Sequence, residues 1–346
     1  MKLCTLYLSI ILTACLSGPS AFTLMASESS NLHIKRSDVH LHLVNFLQNG
    51  EYWSEKTQSF VHSSPQFTPA AGERDQRLVG LLKRMDNASV ELAMVSGMPF
   101  VKKWSKDTHY RSTYYLDSSS RVFYARDTDY TVALAFTDYL SPSDPNLLKE
   151  RLQNRQRLFP FISGFNSTDI GAVDMVVKRV KEFPGLWEGI GEVMSRHDDL
   201  TNLITGERSY ADHPSIHRLS DFAGTFHLPV SIHHNIAPIS PGNQKKKPVY
   251  LPEILRLFDA HPKTQFIWCH AGISRRIFVK NLPGLLDTIL STKKRYKHVY
   301  IDLSWVIYEN YIYDLSQGID NRHQWAELIS KFPTNFMIGS DAVANF

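Results

Sequence analysis

The chain has 346 residues and a net charge of +4, and 43% of its residues are hydrophobic. This length suits one large α/β barrel with insertions or two ordinary domains. The only dense run of basic residues, 245–247, lies between Pro/Gly positions, which is typical of a solvated loop. Because no basic stripe is interleaved with aromatic residues, nucleic acid is excluded as a partner.

The N-terminus has the pattern of an export signal. Lys2 precedes an apolar stretch, residues 3–12, that is too short to cross a membrane permanently. Leu12-Thr13-Ala14-Cys15 is typical of a bacterial lipobox, so we predict a signal peptide over residues 1–15, a lipid on Cys15 and a flexible tether over 16–32. The protein is then exported to the bacterial cell envelope or periplasm and touches the membrane only through this anchor. Cleavage by an ordinary signal peptidase is the alternative.

The first predicted strand, residues 33–43, carries the pattern Asp38-Val39-His40-Leu41-His42. Side chains alternate between the two faces of a strand, so Asp38, His40 and His42 are expected on one face. Val39, Leu41 and Leu43 are expected on the other. A strand that is apolar on one face and His-rich on the other is typical of a barrel strand that ends at a metal site.

Polar residues also end later apolar runs. They are Glu192, His233, His270, Ser304 and Asp341, spaced about 34 to 41 residues apart. This spacing is the size of one βα unit. Trp268 and His270 are expected to share one face of their strand, opposite Ile267 and Cys269. The carboxyl ends of parallel barrel strands converge on one mouth, so these polar residues are expected there.

The remaining elements follow from apolar periodicity. Helices are predicted over 73–87, 147–158, 169–183 and 282–290, and around 216–226, 254–258 and 325–329; strands are predicted over 90–96, 159–165 and 186–193. Residues 44–71 are expected to be irregular, and residues 99–129 and 194–214 to be insertions at the mouth. Residues 130–136 are predicted as a further strand, either the third barrel strand or part of the first insertion. Cys269 is the only ordinary thiol left after processing, which excludes a disulfide framework.

Five motifs in chain order resemble the amidohydrolase superfamily, most closely its amidohydrolase-related branch. They are His40-Leu41-His42, Gly191-Glu192, Ile232-His233, His270-Ala271-Gly272 and Gly339-Ser340-Asp341. The resemblance covers residues 33–346 and implies a single-domain α/β fold, a (β/α)8 TIM barrel. The chain stops five residues after Asp341, where the family pattern leads one to expect an eighth helix. We therefore expect a short or missing last helix.

The resemblance implies one divalent metal ion. His40, His42, His233 and Asp341 would be its ligands, Asp341 the catalytic base, and His270 a catalytic residue that polarises the substrate carbonyl. A site of imidazoles and a carboxylate suits zinc, with manganese or iron as alternatives. Glu192 is either a further ligand or a carboxylate that orients one.

The candidate substrate-binding residues are Arg196, Arg275 and Ser304. Arg275 could pair with a substrate carboxylate or lie on the surface at a helix start. Ser304, with Asp302, could contact substrate or pack in the interior. Asp38 could hold a ligand or be structural.

The sequence favours a metal-dependent hydrolase that cleaves an amide, lactone or ester of a small molecule. The alternative is a non-oxidative decarboxylase, which uses nearly the same ligands. A third reading is a catalytically inactive, envelope-anchored binding protein. An oligomer is compatible with all three.

Overall fold

The computed structural model describes residues 36–43, 51–54, 59–62, 75–105, 120–124, 128–197, 200–201, 208–240, 242, 244–292 and 296–344. The predicted signal peptide, lipobox and tether lie outside these residues. Within the described part of the chain, no helix is long and apolar enough to cross a membrane.

The strands are β1 (Arg36–Leu43), β2 (Glu51–Ser54), β3 (Ser59–His62), β4 (Val90–Ser96), β5 (Phe100–Ser105), β6 (Ser120–Tyr124), β7 (Leu158–Ile162), β8 (Gly189–Ser195), β9 (Val230–His234), β10 (Phe266–Trp268), β11 (Val299–Asp302), β12 (Tyr313–Asp314), β13 (Ile319–Asp320), β14 (Phe336–Met337) and β15 (Ala342–Ala344). The helices are α1 (Asp75–Asn87), α2 (Thr128–Tyr139), α3 (Pro145–Arg155), α4 (Ala172–Glu182), α5 (Pro214–Phe226), α6 (Leu251–Ala260), α7 (Leu282–Leu290) and α8 (Arg322–Lys331).

The main sheet is parallel, in the order β14-β11-β10-β9-β8-β7-β4-β1-β15. β14 and β15 belong to one segment, which pairs with β11 on one side and with β1 on the other. Between them, the Val39 amide donates to the Ile338 carbonyl (3.1 Å) and the Asp341 amide donates to the His40 carbonyl (2.7 Å). The last segment therefore closes the sheet, and the predicted (β/α)8 barrel is confirmed. Among the described residues, no helix follows β15.

Helices cover the outside of the barrel. The outward side chains of β8 to β11, such as Ile232 and Ile301, pack in one large buried cluster with α5 to α8. Those of β1 and β4 pack with α1 and α2 in a second cluster. A third, small cluster of Val39, Met94, Phe161 and Ile267 fills the barrel interior. These apolar side chains fill the barrel interior below the polar residues at the mouth.

The predicted alternation along β1 is wrong at one position. Leu41 and Leu43 pack outward against α1, but Val39 packs inside the barrel with Met94 and Phe161. The pairing of β1 with β4 shifts register between Asp38 and Leu41. Such an irregularity re-aims side chains, and it allows Val39 to face inward just below His40.

The predicted phase of β10 is also wrong. Trp268 points outward to the α6 side, whereas Ile267 points into the barrel. The strand ends at Trp268, and His270 (φ 53°) and Ala271 (φ 49°) then adopt left-handed backbone conformations. His270 therefore reaches the mouth through a turn rather than by strand alternation.

Residues 130–136 form part of helix α2, not a strand. Almost every residue of this segment is apolar, so its periodicity could not distinguish a buried helix from a buried strand. Val132, Ala135 and Phe136 are buried against the α1 side. The neighbour of β4 in the barrel is β7 instead.

Two segments that interrupt the barrel repeat contain strands. Residues 44–71, expected to be irregular, include β2 and β3, and residues 99–129 include β5 and β6. These four strands form a separate sheet in the order β3-β2-β5-β6. The remaining predicted helices and strands of the barrel are present, with ends that differ by a few residues.

Candidate metal centre

The polar residues predicted for the mouth are buried together at the carboxyl ends of the barrel strands. They are His40 and His42 on β1, Glu192 on β8, His233 on β9, His270 after β10, Ser304 after β11 and Asp341 between β14 and β15. All except Asp341 are less than 5% exposed, and the side chain of Asp341 is 14% exposed. The strands that carry these residues run from β1 to β15, so the clustering depends on almost the whole described chain.

Hydrogen bonds on the outer side of His40 and His42 fix how each ring faces the centre. The Nδ1 atom of His40 donates to the Asp302 carboxylate (2.8 Å), which can only accept. The Nδ1 atom of His42 lies 3.0 Å from the Ser96 hydroxyl and 3.2 Å from the Gly97 carbonyl. Both rings therefore turn Nε2 toward the centre.

One oxygen of each of two carboxylates lies close to both histidine Nε2 atoms. The two Nε2 atoms of His40 and His42 are 3.3 Å apart. Glu192 Oε2 lies 3.5 and 3.4 Å from these nitrogens, and Asp341 Oδ1 also lies 3.5 and 3.4 Å from them. Two ligand atoms that share one tetrahedral ion at about 2.0–2.2 Å are about 3.3–3.6 Å apart. The two histidine nitrogens, and each carboxylate oxygen with both of them, therefore have the spacing of ligands that share one metal ion.

The electrostatics of the cluster also favour a cation. Burial alone would lower the pKa of His42, but the Asp341 and Glu192 carboxylates raise it to about 9. Burial would raise the pKa of Asp341, yet His40, His42 and His270 lower it to about 2. The pKa of Glu192 is likewise held well below its usual range by His40 and His233, against the effect of burial. Buried carboxylates that stay ionised attract positive charge, which a proton or a metal ion can supply.

Glu192 has a second oxygen that faces different histidines. Its Oε1 atom lies 3.0 Å from His233 Nδ1 and 3.6 Å from His270 Nε2. His270 Nε2 is also 3.8 Å from Asp341 Oδ2. One oxygen of Glu192 therefore faces His40 and His42, and the other faces His233 and His270. His233 contacts the centre through Glu192.

His270 is held by Ser304 and Asp302. The His270 Nδ1 atom donates to Ser304 Oγ (2.7 Å), and the Ser304 hydroxyl donates to Asp302 Oδ2 (2.5 Å). The same Asp302 oxygen accepts from His40. One buried carboxylate therefore orients two histidines of the centre, and the hydroxyl of Ser304, which is 1% exposed, is used in this network.

Close backbone approaches bring the strands together at the centre. A Cβ atom on Gly339 would lie 2.7 Å from His40 Cβ and 2.9 Å from Asp302 Oδ1. Asp341 itself has a left-handed backbone (φ 54°), as do His270 and Trp305 (φ 57°). Non-glycine residues rarely adopt this conformation, and such strain concentrates at functional sites.

The two predicted substrate-binding arginines lie at the rim. Arg196, directly after β8, forms an ion pair with Glu253 and lines a cavity of about 350 Å³. The exposed Arg275 lies over the Trp305 ring, with its Cζ atom 5.5 Å from the ring centroid. Trp305 in turn contacts His270, with ring centroids 5.1 Å apart.

Asp302 was expected to contact substrate or to pack in the interior, and the structure shows a buried carboxylate that orients His40. Sequence reasoning gave no role to His197, which is buried and stacks on His233 with ring centroids 4.3 Å apart. The position of Asp302 at the end of a predicted strand, on the face of Ser304, was a signal for its place at the mouth. His197 lies in a predicted insertion, and nothing in its local pattern indicates a partner. Asp38, for which two roles were open, accepts from the Ser340 backbone amide (2.8 Å) and hydroxyl (2.5 Å) and so braces the last segment.

No family model and no curated protein matches the chain. Solved structures that resemble it include dihydroorotase from Campylobacter jejuni (13% identity, 89% of this chain and 69% of that chain, TM-score 0.43). They also include an amidohydrolase from Burkholderia multivorans with bound zinc (14% identity, 90% and 87%, TM-score 0.37) and 2,6-dihydroxybenzoate decarboxylase from Rhizobium (13% identity, 88% and 88%, TM-score 0.40). At this similarity, the chemistry of the centre has to be derived from the side chains of this chain.

Proposed function

We propose that the protein is a metal-dependent hydrolase that cleaves an amide, lactone or ester bond of a small carbonyl compound. The observation that carries the proposal is that one oxygen of Glu192 and one of Asp341 each lie 3.4–3.5 Å from the Nε2 atoms of both His40 and His42, which are 3.3 Å apart. His40, His42, Glu192 and Asp341 would hold the ion, and zinc suits this donor set.

A bound divalent ion would lower the pKa of water toward neutrality and polarise the substrate carbonyl. The Asp341 carboxylate, at the open side of the centre, accepts a proton from the attacking water and returns it to the leaving group. Its low pKa favours the ionised form that this role requires. His270 presents Nε2 to the same carboxylate because Ser304 holds Nδ1. Once protonated, Nε2 can donate to the carbonyl oxygen.

We propose non-oxidative decarboxylation as the second candidate. The same histidines and carboxylates would hold the ion, which would supply positive charge near the substrate, and Asp341 would pass a proton from solvent to the carbon atom that loses carbon dioxide. Product analysis separates the two reactions, since the hydrolase adds water and the decarboxylase releases carbon dioxide.

The first test is Asp341→Asn, which keeps the shape of the side chain and removes its basicity. We expect activity to fall by at least about a hundredfold, the usual contribution of a general base. The measurement is turnover of a panel of amides, lactones, esters and aromatic acids, with and without chelator. Asp287→Asn, at the surface of α7, is the matched control. Equal turnover by Asp341→Asn and the unmodified protein would show that the base is another residue.

A further inference from the structure

The cavity of about 350 Å³ beside the metal centre combines two arginines with apolar walls. Arg196, Arg208 and Tyr250 line it together with Asn235, and apolar side chains such as Ala237 and Ile277 complete the wall. This volume is in the range of small-molecule sites, which are mostly apolar with a few polar groups that orient the ligand.

The cavity is joined to the metal centre through two hydrogen-bonding contacts. Asn235 Oδ1 lies 3.2 Å from His233 Nε2, and His233 Nδ1 lies 3.0 Å from Glu192 Oε1. Asn235 and His233 are 1% exposed, so these contacts are buried. A molecule in the cavity therefore lies against the wall of the metal centre.

Arg196 is held rigidly at this wall. Its Nε and one terminal nitrogen donate to the two oxygens of Glu253 (2.9 and 2.6 Å), and its Cζ atom lies 4.3 Å from the centroid of the Tyr250 ring. The other terminal nitrogen of Arg196 has no hydrogen-bond partner among the described residues. A guanidinium fixed in this way loses little entropy when it binds a ligand through its remaining donors.

Arg208 adds a positive charge that no described residue neutralises. The backbone amide of Arg196 donates to the Ser209 carbonyl (3.1 Å), which keeps the segment with Arg208 next to Arg196. Within the part of the chain that the structure describes, Arg208 forms no ion pair, and its side chain is exposed. Among the described residues that line the cavity, the charged side chains are the two guanidiniums of Arg196 and Arg208.

We infer that this cavity binds a carboxylate group of the substrate, with the reacting part of the molecule at the metal centre. This inference rests on the proposed function, whose substrate it assigns to small organic acids. Arginine donors match the geometry of a carboxylate, and the apolar walls suit a hydrocarbon body.

The test compares benzoate with benzamide, a neutral molecule of nearly the same shape. Ligand-observed NMR titrations on the full chain, first freed of metal with chelator, measure binding without a contribution from the ion. We expect benzoate to bind about tenfold more tightly than benzamide, as expected for a hydrogen-bonded charge pair. We expect Arg208→Gln to remove most of this difference. Arg218→Gln, an exposed change on α5, is the matched control and should keep the preference.

Equal binding of benzoate and benzamide to the unmodified protein would overturn the inference. So would an undiminished preference in Arg208→Gln, or benzoate binding that appears only when metal is restored. Because Arg208 is exposed, its substitution should leave the thermal melting curve unchanged, and that curve checks folding. Metal titration of the same samples tests the proposed function separately. A protein that binds benzoate but no metal would contradict the proposed function alone, and one that binds metal but does not prefer benzoate would contradict this inference alone.

Discussion

At the scale of single residues, the centre depends on groups that hydrogen-bond to the Nδ1 atoms of its histidines, on the side of each ring that faces away from the centre. Asp302 accepts from the Nδ1 atom of His40 and from the hydroxyl of Ser304, which in turn holds His270. Such a carboxylate fixes the ring orientation and increases the basicity of a metal-binding histidine. Its contribution is therefore measurable in metal affinity.

We predict that Asp302→Asn weakens metal binding by about 10- to 100-fold, the usual effect of losing a group that orients a ligand. Competition with a chromophoric chelator measures the dissociation constant for zinc. Asp287→Asn on α7 controls for the loss of one negative charge and should bind as the unmodified protein does. Unchanged affinity in Asp302→Asn would mean that His40 does not need this acceptor.

The second residue-scale prediction is a pH dependence of metal binding. Burial opposes protonation of His42, but Asp341 and Glu192 raise its pKa to about 9 in the metal-free protein. Below that pH a metal ion must displace this proton, so affinity should rise about tenfold per pH unit for each proton released. Asp341, with its pKa lowered to about 2, stays ionised throughout and adds nothing to the slope. Dissociation constants for zinc measured between pH 6 and 8.5 check this, and a flat profile would contradict it.

The residues that the sequence made predictable were those with a local pattern. His40 and His42 are two apart on one strand, and His233 and Asp341 end apolar runs. His197 could not be found in this way, because its partner His233 is 36 positions away and its own segment is irregular. A contact between residues on different strands of the barrel cannot be predicted from the sequence around either residue.

At the scale of elements, the pattern of polar and apolar residues was least informative for α2. Its residues alternate too little between polar and apolar to reveal a period, and burial of both Val132 and Ala133 explains why. β10 and β1 show a different limit, since a left-handed turn at His270 and a register shift after Asp38 change which side chains face inward. Both depend on backbone conformation that strand alternation does not describe.

The helical packing of α2 predicts the effect of truncating Phe136. This side chain is 1% exposed and lies in the cluster shared with α1 and β4. Phe136→Ala should lower the free energy of unfolding by about 3–5 kcal/mol, the usual cost of a large cavity. Phe226→Ala, at a residue that is 61% exposed, should change it by less than about 0.5 kcal/mol. Denaturant titration measures both, and similar small effects would mean that α2 is not packed in this way.

At the scale of the whole molecule, the spacing of strand ends predicted the barrel because each βα unit must bury its apolar faces against the next. The four-stranded sheet of β2, β3, β5 and β6 was not predictable from that spacing, because it interrupts the repeat. The proposed ligands come from β1, β8 and the last segment, so one ion would connect the first and last strands of the barrel. Metal binding would therefore be coupled to barrel closure.

This coupling predicts that removing the metal lowers thermal stability. An ion that binds only the folded chain, at a concentration of about 100 times its dissociation constant, stabilises it by about 2.7 kcal/mol. For a chain of this size that corresponds to a rise in melting temperature of about 4 °C. Scanning calorimetry of chelator-treated protein should show this decrease, and zinc should restore the original value. Calcium, which prefers an all-oxygen site with more ligands, should not restore it.

His40→Ala is the control, since it should melt at the same temperature with and without zinc. If the unmodified protein also failed to respond to zinc, the first and last strands would be joined by hydrogen bonds alone.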